Sequence, residues 1–433
     1  MPAQQQAAPE PASTSAAATA PSSIYHRTTC RGCRGTALEP FLALGPQPLA
    51  NAFLSDSSAF TTEARYPLDV YFCETCALVQ LLDVVNPEVL FRDYIYVTGT
   101  STTIAAHNTE YARTVIDLLG LGTNDLVVEA ASNDGSLLRC FQSGGVRTLG
   151  VEPARNIAAI ARSAGVETIE EFFGTDTARL VRGRYGPAQA VIGNNVLAHV
   201  DDTQDFLRGG AALLAEDGLL IVEVPGLADL MDRLEYDTVY HEHLCYFSVT
   251  ALMRLCEEAG LRIVRVDRYP VHGGSLRIYA GLVSRHPDHA LAVRAQAEVE
   301  RAAGLTTLPR FRQFAGEVAA NRARLVDLLE QLHRKGKSVA GYGAPAKGNT
   351  LLNYCGIGTR LLPYTVDRSA LKVGKYTPGM HIPVLPVETL LERQPDYLLI
   401  LAWNFAGEIM AQQDLYRQRG GRFIVPIPAP TVY

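Results

Sequence analysis

The chain has no excess of positive charge. Across 433 residues, 39 Lys and Arg stand against 45 Asp and Glu, for a formal charge of −6 at pH 7. That is the wrong sign for a protein that lives on phosphate backbone, so no nucleic-acid partner is expected. An uncharged apolar run of about 18 residues is missing too, which argues against a bilayer-spanning helix and a membrane partner. Residues 1–23 hold a single charge, Glu10, among Ala, Pro, Gln, Ser and Thr. With neither a basic start nor an apolar core, they read as a flexible tail and not as a targeting signal, and cytoplasm is the expected compartment. A disulfide framework is absent as well: of eight cysteines, Cys140, Cys245, Cys256 and Cys355 are scattered. At 47% apolar and 19% charged, the chain is neither disordered nor fibrous. At about 150 residues per domain, its length suggests two or three domains.

The other four cysteines form two knuckles, Cys30-x2-Cys33 and Cys73-x2-Cys76. Two such pairs supply the four soft ligands of a closed tetrahedral site, the usual structural zinc arrangement. Two buried thiol pairs or a redox pair are the alternative. A zinc with four protein ligands has no open position and does no chemistry, so it is expected to act as a staple within a module spanning 24–90.

From 91 to 285, strand and helix alternate, which predicts a parallel α/β sheet finished by a hairpin. An amphipathic helix near 104–120 precedes a strand at 126–129 that ends in Glu129. After it come Ser132, Asn133, Asp134, Gly135 and a helix. The next strand ends in Glu152, about 20 residues on. Small and polar residues at the carboxyl edge of the sheet, with an acid able to accept from ribose hydroxyls, describe an adenosine pocket. One glycine stands where the dinucleotide fingerprint has three, so a nucleoside without phosphates fits better. A plain Asn-Asp-Gly turn is the competing reading. Ser248 is expected to cap a helix that Gly260 closes. Residues 286–336 have helical spacing at Phe314, Val318, Leu325, Leu328 and Leu332, and Gly336 stops it. A second, smaller α/β domain is expected over 337–433.

Here the arrangement resembles the class I methyltransferases that use S-adenosylmethionine. The resemblance implies that Glu129 lies near the amino acid part of the cofactor. It places Glu152 and the adjoining Pro153 at the ribose, Phe172 and Phe173 beside the adenine, and Asn194, Asn195 and Val196 under the methionine part.

Tyr240, His241, Glu242 and His243 put two imidazoles, a carboxylate and a phenol within four residues. They follow the strand ending at Pro225. An extended segment would set Tyr240 and Glu242 on one side and His241 and His243 on the other, while a turn would pair them differently. Metal ligation is the weaker reading, because the rest of an H-E-x-x-H helix is missing. Surface decoration is the bland one.

The wider chain, nearly all of 28–433, resembles the sugar C-methyltransferases of deoxysugar biosynthesis. These are the tetronitrose and mycarose type, which methylate a nucleotide-linked 4-keto sugar at C3 in the making of antibiotic sugars. The resemblance is carried by the paired cysteines and by the stretches 94–101, 132–135, 195–199, 240–248, 272–277 and 341–349. It implies an active site of Tyr94, His199, Tyr240, Glu242 and His243, S-adenosylmethionine as cofactor and a dTDP-linked 4-keto sugar as substrate. A monomer is expected.

Carbon is a poor nucleophile until a proton leaves a position beside a carbonyl. The site therefore needs a base of pKa near 7 and a donor to the enolate oxygen. His243 is read as the base, with His199 as a second candidate, Glu242 as an orienting carboxylate, and Tyr240 or Tyr94 as donors. In the last domain, Tyr342, Gly343, Lys347 and Asn349 sit on a strand-turn-helix that offers N–H groups and one cation to a diphosphate. His272, Gly273 and Ser275 are expected to line the same cleft. Three other readings stay open: methylation at C5, an NAD(P)-dependent sugar-nucleotide oxidoreductase, and a zinc-ribbon binder of nucleic acid.

Overall fold

The computed structural model describes residues 24–91, 102–270 and 273–433. Tyr94 and His272 lie outside the described residues. Five strands come early: β1 (Ile24–His26), β2 (Leu38–Ala43), β3 (Asp69–Cys73), β4 (Val79–Leu81) and β5 (Asp83–Val85). Strands β2, β3 and β4 form an antiparallel meander, and β1 pairs with β5.

Next come β6 (Leu126–Ala130), β7 (Arg147–Val151), β8 (Thr168–Ile169), β9 (Ala188–Asn194) and β10 (Leu214–Pro225), with a helix between each consecutive pair. Strands β11 (Cys245–Tyr246), β12 (Leu261–Tyr269) and β13 (Ser275–Leu282) follow. The large sheet runs β12-β13-β10-β9-β6-β7-β8, and only β13 is antiparallel to its neighbours. This is the class I methyltransferase-like sheet, completed by the expected hairpin. Its order reverses between β6 and β9, where an open α/β sheet leaves a crevice at the carboxyl ends of its strands. All five residues of β6 are buried, as a central strand covered on both faces requires.

The helix Val249–Glu258 opens where the Ser248 hydroxyl accepts from the Ala251 N–H at 3.1 Å, and Gly260 beyond it takes φ +76°. Two helices, Leu291–Ala302 and Leu308–Arg334, fill the connector. The longer one stacks Phe311 against Phe41 and Phe72 of the first sheet, at centroid distances of 5.0 and 4.7 Å. Asn321 on the same helix donates to the Pro426 and Pro428 carbonyls and accepts from the Tyr236 hydroxyl at 3.0 Å. The helix Leu308–Arg334 thus touches all three parts of the chain.

The last sheet holds β14 (Val339–Tyr342), β15 (Thr365–Val366), β16 (Val384–Leu385), β17 (Tyr397–Ile400), β18 (Arg422–Val425) and β19 (Thr431–Val432). Its order is β16-β15-β14-β17-β18-β19, parallel apart from β19. Strands β8, β16 and β19 have two residues each, too few to leave a period in the sequence. β11 departs from the expected organisation: it pairs with β4, Cys245 opposite Gln80 and Tyr246 opposite Val79. The sheet of the cysteine module is therefore completed from residue 245. Among the described residues, no helix is long and apolar enough to cross a membrane.

Candidate active site and metal centre

The ligand atoms of Cys30, Cys33, Cys73 and Cys76 all lie within 4.8 Å of one another. Sulfur to sulfur, Cys30 and Cys76 are 3.5 Å apart and Cys33 and Cys73 are 3.6 Å apart. A disulfide would need about 2.05 Å, whereas a tetrahedron of bonds of about 2.3 Å has edges near 3.8 Å. Four thiolates at that spacing fit zinc. Gln80, fully buried, donates to the Cys30 sulfur at 3.0 Å and accepts from the Arg31 N–H at 3.0 Å, an outer hydrogen bond of the kind that orients a ligand.

At the end of β6, the chain passes through Ala131, Asn133 and Gly135, all at positive φ. A Cβ on Gly135 would fall 2.7 Å from Val166 Cγ2, so this turn needs glycine for space as well as conformation. Glu152 draws the loop in, accepting from the Asn133 N–H at 2.9 Å and the Ala154 N–H at 2.8 Å. Burial pushes the Glu152 carboxyl up, and the two N–H groups pull the other way. Glu129 is raised well above the usual range, first by burial and then by the nearby Asp134 and Glu152. Among the described residues, Glu129 Oε2, Ser132 Oγ and Asn194 Oδ1 are buried without a partner. A nucleoside carrying an amino acid suits this crevice, because an α-ammonium would ionise Glu129 and hydroxyls or N–H groups would occupy the orphan acceptors. Asn195, at φ +52°, turns the chain off β9 toward His199. Phe173 packs edge-on against Phe206 at 5.1 Å, and the Phe172 carbonyl accepts from Thr177.

The acid–base segment is a turn. The His243 N–H donates to the Tyr240 carbonyl at 2.8 Å, and the Leu244 N–H donates to Ala198 of the loop after β9 at 2.7 Å. That turn brings the Tyr240 hydroxyl to 2.8 Å from His243 Nε2, with the rings 4.0 Å apart. His243 Nδ1 lies 2.8 Å from the Thr238 carbonyl, which assigns its proton to Nδ1 and leaves Nε2 as the acceptor. His199 packs edge-on against His243 at 4.9 Å. Burial holds it down to about 4, while backbone groups of Glu242 and Asn195 pull upward, so it is a neutral imidazole at neutral pH. His241 faces away, its Nε2 near the Tyr66 and Pro67 carbonyls, and burial lowers it too. The Glu242 carboxylate, 5% exposed, accepts from the Asn51 amide at 2.7 Å.

Lys347 and Gly273 converge on Glu235. The ammonium is 3.8 Å from Glu235 Oε2 and 5.1 Å from the Trp403 ring centre, and a Cβ on Gly273 would strike the same carboxylate at 2.4 Å. Burial raises Glu235 to about 7, with Lys347 opposing. Gly343 sits at φ +86°, and the Ala344 N–H after it donates to Asp367 at 2.7 Å. Two expected substrate contacts have other work. Tyr342 packs in the core of the last sheet, and the Asn349 amide donates to the Ala50 carbonyl at 2.7 Å. Ser275 is buried at the start of β13.

Sequence reasoning missed the buried Arg277. It forms a 2.6 Å ion pair with Glu223 and stacks on Tyr111 and Tyr269 at 3.5 and 4.1 Å. His107 reaches the same carboxylate at 3.1 Å. Burial pushes Glu223 up, but these two partners win and hold it low. The stretch 272–277 contains Arg277, yet nothing in its spacing names Glu223 as the partner.

Family models match three consecutive parts of the chain: a zinc binding domain over 30–91, a methyltransferase domain over 104–266 and the C-methyltransferase C-terminal domain over 270–428. The C-methyltransferase NovU of Streptomyces niveus is 40% identical over 403 residues, 93% of this chain and 96% of that protein. The CcbJ methyltransferase from Streptomyces caelestis is 15% identical at a TM-score of 0.33, covering 40% of this chain and 90% of that one. Magnesium protoporphyrin IX methyltransferase from Synechocystis PCC 6803, with bound S-adenosylmethionine, is 15% identical at 0.31, covering 41% and 80%. With a relative matched along nearly its whole length and family models covering all three parts, the chain belongs to the S-adenosylmethionine-dependent C-methyltransferases that carry an N-terminal zinc-binding domain.

Proposed function

We propose that the protein methylates C3 of a dTDP-linked 4-keto deoxysugar through an enolate, as a step in making an antibiotic sugar. The observation that carries the reading is the Tyr240–His243 pair, with Nδ1 of the imidazole committed to the Thr238 carbonyl and Nε2 2.8 Å from the phenol. The C3–H bond breaks as its proton passes through the Tyr240 hydroxyl to His243 Nε2, and the electron pair moves into the enolate at C4. His199, neutral and buried beside the pair, keeps a second cation away from the imidazolium that forms. Glu242 holds a sugar hydroxyl or the phenol in register. When bound, S-adenosylmethionine supplies the sulfonium methyl that the enolate carbon takes up, leaving S-adenosylhomocysteine.

Glu129, Ser132, Asn194 and Glu152 are the residues proposed to hold the cofactor. The turn at Gly343, with Lys347, is proposed to take the diphosphate, and the crevice between the two sheets the sugar. NovU, also a C-methyltransferase, supports the reaction class. The test is product NMR after incubation with methyl-labelled S-adenosylmethionine and a panel of dTDP-4-keto sugars. Label at C3 is expected, and label at C5 or on oxygen overturns the assignment. His243→Asn and Tyr240→Phe should each lower kcat about 10²- to 10⁴-fold and leave cofactor affinity in place. Retained turnover in His243→Asn would move the base to His199.

A further inference from the structure

The loop between β2 and β3, part of the zinc module, reaches both the turn at Glu242 and the helix Ala346–Cys355. Its course is fixed at both ends. Gln47 and Tyr66 exchange backbone hydrogen bonds at 2.9 and 2.8 Å, and Leu54 and Tyr376 do so at 3.1 and 2.8 Å. At its middle, two adjacent residues face opposite ways. The Ala50 carbonyl accepts from Asn349, on the helix that opens at the Gly343 turn, and Asn51 Nδ2 donates to Glu242 Oε1; both distances are 2.7 Å. Ala50, Asn349 and Glu242 are 6%, 1% and 5% exposed and Asn51 is half-buried, so both hydrogen bonds are largely withdrawn from water. A carboxylate at such a depth keeps its charge and direction only through the hydrogen bonds it accepts. A primary amide is well suited, since it donates without titrating.

We propose that Asn51 is a positioning residue for methyl transfer. It holds the Glu242 carboxylate ionised and oriented, and Asn349 holds Asn51 in place through the Ala50 carbonyl. The zinc module then does more than staple the fold, because it delivers a side chain to the acid–base turn. One loop also links that turn to the helix of the nucleotide turn. The proposal rests on the reading of Glu242 as part of the acid–base turn. Among the described residues, the titratable groups that line a small cavity with this carboxylate are His199, Asp201 and His241, and Tyr240 and His243 share its turn.

The test uses the zinc-loaded full chain, S-adenosylmethionine and a dTDP-4-keto-6-deoxyhexose that it turns over. Asn51→Ala, Asn51→Asp, Glu242→Gln and the double variant Asn51→Ala/Glu242→Gln are compared for kcat, KM, the pH profile of kcat and zinc content. Asn51→Ala should lower kcat about tenfold to a hundredfold with KM within about twofold, the size of a lost hydrogen bond to a charged group. Without the donor the Glu242 pKa rises, so the acid limb of kcat moves to higher pH. Asn51→Asp, which keeps the shape and adds a like charge, should move it further. The double variant should be no slower than Glu242→Gln alone, because Asn51 acts through that carboxylate. Penalties that multiply in the double variant, or a kcat loss with an unmoved acid limb, overturn the proposal. So does wild-type kcat in both Asn51 variants while Glu242→Gln is slow. Wild-type turnover in Glu242→Gln overturns instead the underlying reading of the turn. If Asn51→Ala loses its zinc, the isosteric Asn51→Asp decides.

Discussion

Glu152 and Asp367 occupy equivalent places in the two parallel sheets. Each follows the strand beside the first strand of its sheet, β7 or β15, and each accepts a backbone N–H from the turn after that first strand. Asn133 donates to Glu152 at 2.9 Å and Ala344 to Asp367 at 2.7 Å. The turns match, and the charges around them do not. Beside Glu152 stand Glu129, whose pKa is raised by burial, and Asp134, a place that favours a ligand carrying positive charge. Beside Asp367 stands Lys372, which donates to the Ala344 carbonyl of the same turn at 2.8 Å, and Lys347 lies in the first turn of the helix Ala346–Cys355, a place that favours an anion. A strand-turn-helix unit thus provides N–H groups and a crevice, and neighbouring side chains choose the ligand.

Removal of zinc should have the largest effect. None of the four cysteines lies in either turn, but β11, which follows His243, pairs with β4 beyond the Cys73 and Cys76 knuckle. Stripping the metal, or Cys73→Ser, should cost more than about a hundredfold in turnover. Binding of S-adenosylhomocysteine and of thymidine diphosphate should fall less, as read by calorimetry alongside metal analysis. Equal loss of binding at both sheets would mean that the turns depend on the module as much as the chemistry does.

The next effect should separate the turns themselves. Glu129→Gln is expected to weaken S-adenosylmethionine binding about tenfold to a hundredfold and leave thymidine diphosphate binding unchanged. Lys347→Met should weaken thymidine diphosphate about fivefold to tenfold and spare the cofactor. Either substitution acting on both ligands would erase the distinction.

The smallest effect is a pH dependence of opposite sign at the two sites. An α-ammonium favours ionised Glu129, whose carboxyl burial holds above its usual range. Cofactor binding therefore releases a proton and weakens as pH falls. Glu235, raised by burial to about 7, is ionised above that pH and competes for Lys347. Diphosphate affinity should accordingly strengthen a few-fold as pH falls through 7. Calorimetry in buffers of different ionisation enthalpy reads both signs, and parallel trends would contradict the charge argument.

Much of this was legible along the chain. The cysteine spacing announced a four-sulfur cluster, and the Ser248 cap and Gly260 stop bounded their helix. Glu129 and Glu152, each at the end of a strand, marked the crevice of the first sheet. What stayed hidden depends on contacts between distant residues. His241 and His243 are equivalent letters in the sequence, and the turn alone sends one to backbone carbonyls and the other to Tyr240. Asn349 reads as a ligand contact until Ala50 is found in front of its amide. Tyr342 reads the same way until it is found in the core of the last sheet. Asn51 belongs to no motif, because one hydrogen bond to a carboxylate 191 residues away leaves no local pattern.

By itself, the sequence determined the ligand chemistry and the strand-helix alternation. Both rest on local matters: which atoms can bind a soft metal, and which residues recur at the period of a helix or a strand. Only the tertiary structure decided which imidazole meets the phenol, that β11 completes the sheet of the zinc module, and that one loop bonds both the Glu242 turn and the helix of Asn349. Those outcomes are fixed by burial. A buried carboxylate or imidazole must find its partner among whatever groups the packed sheets bring within about 3 Å, and that set exists only once the chain is folded.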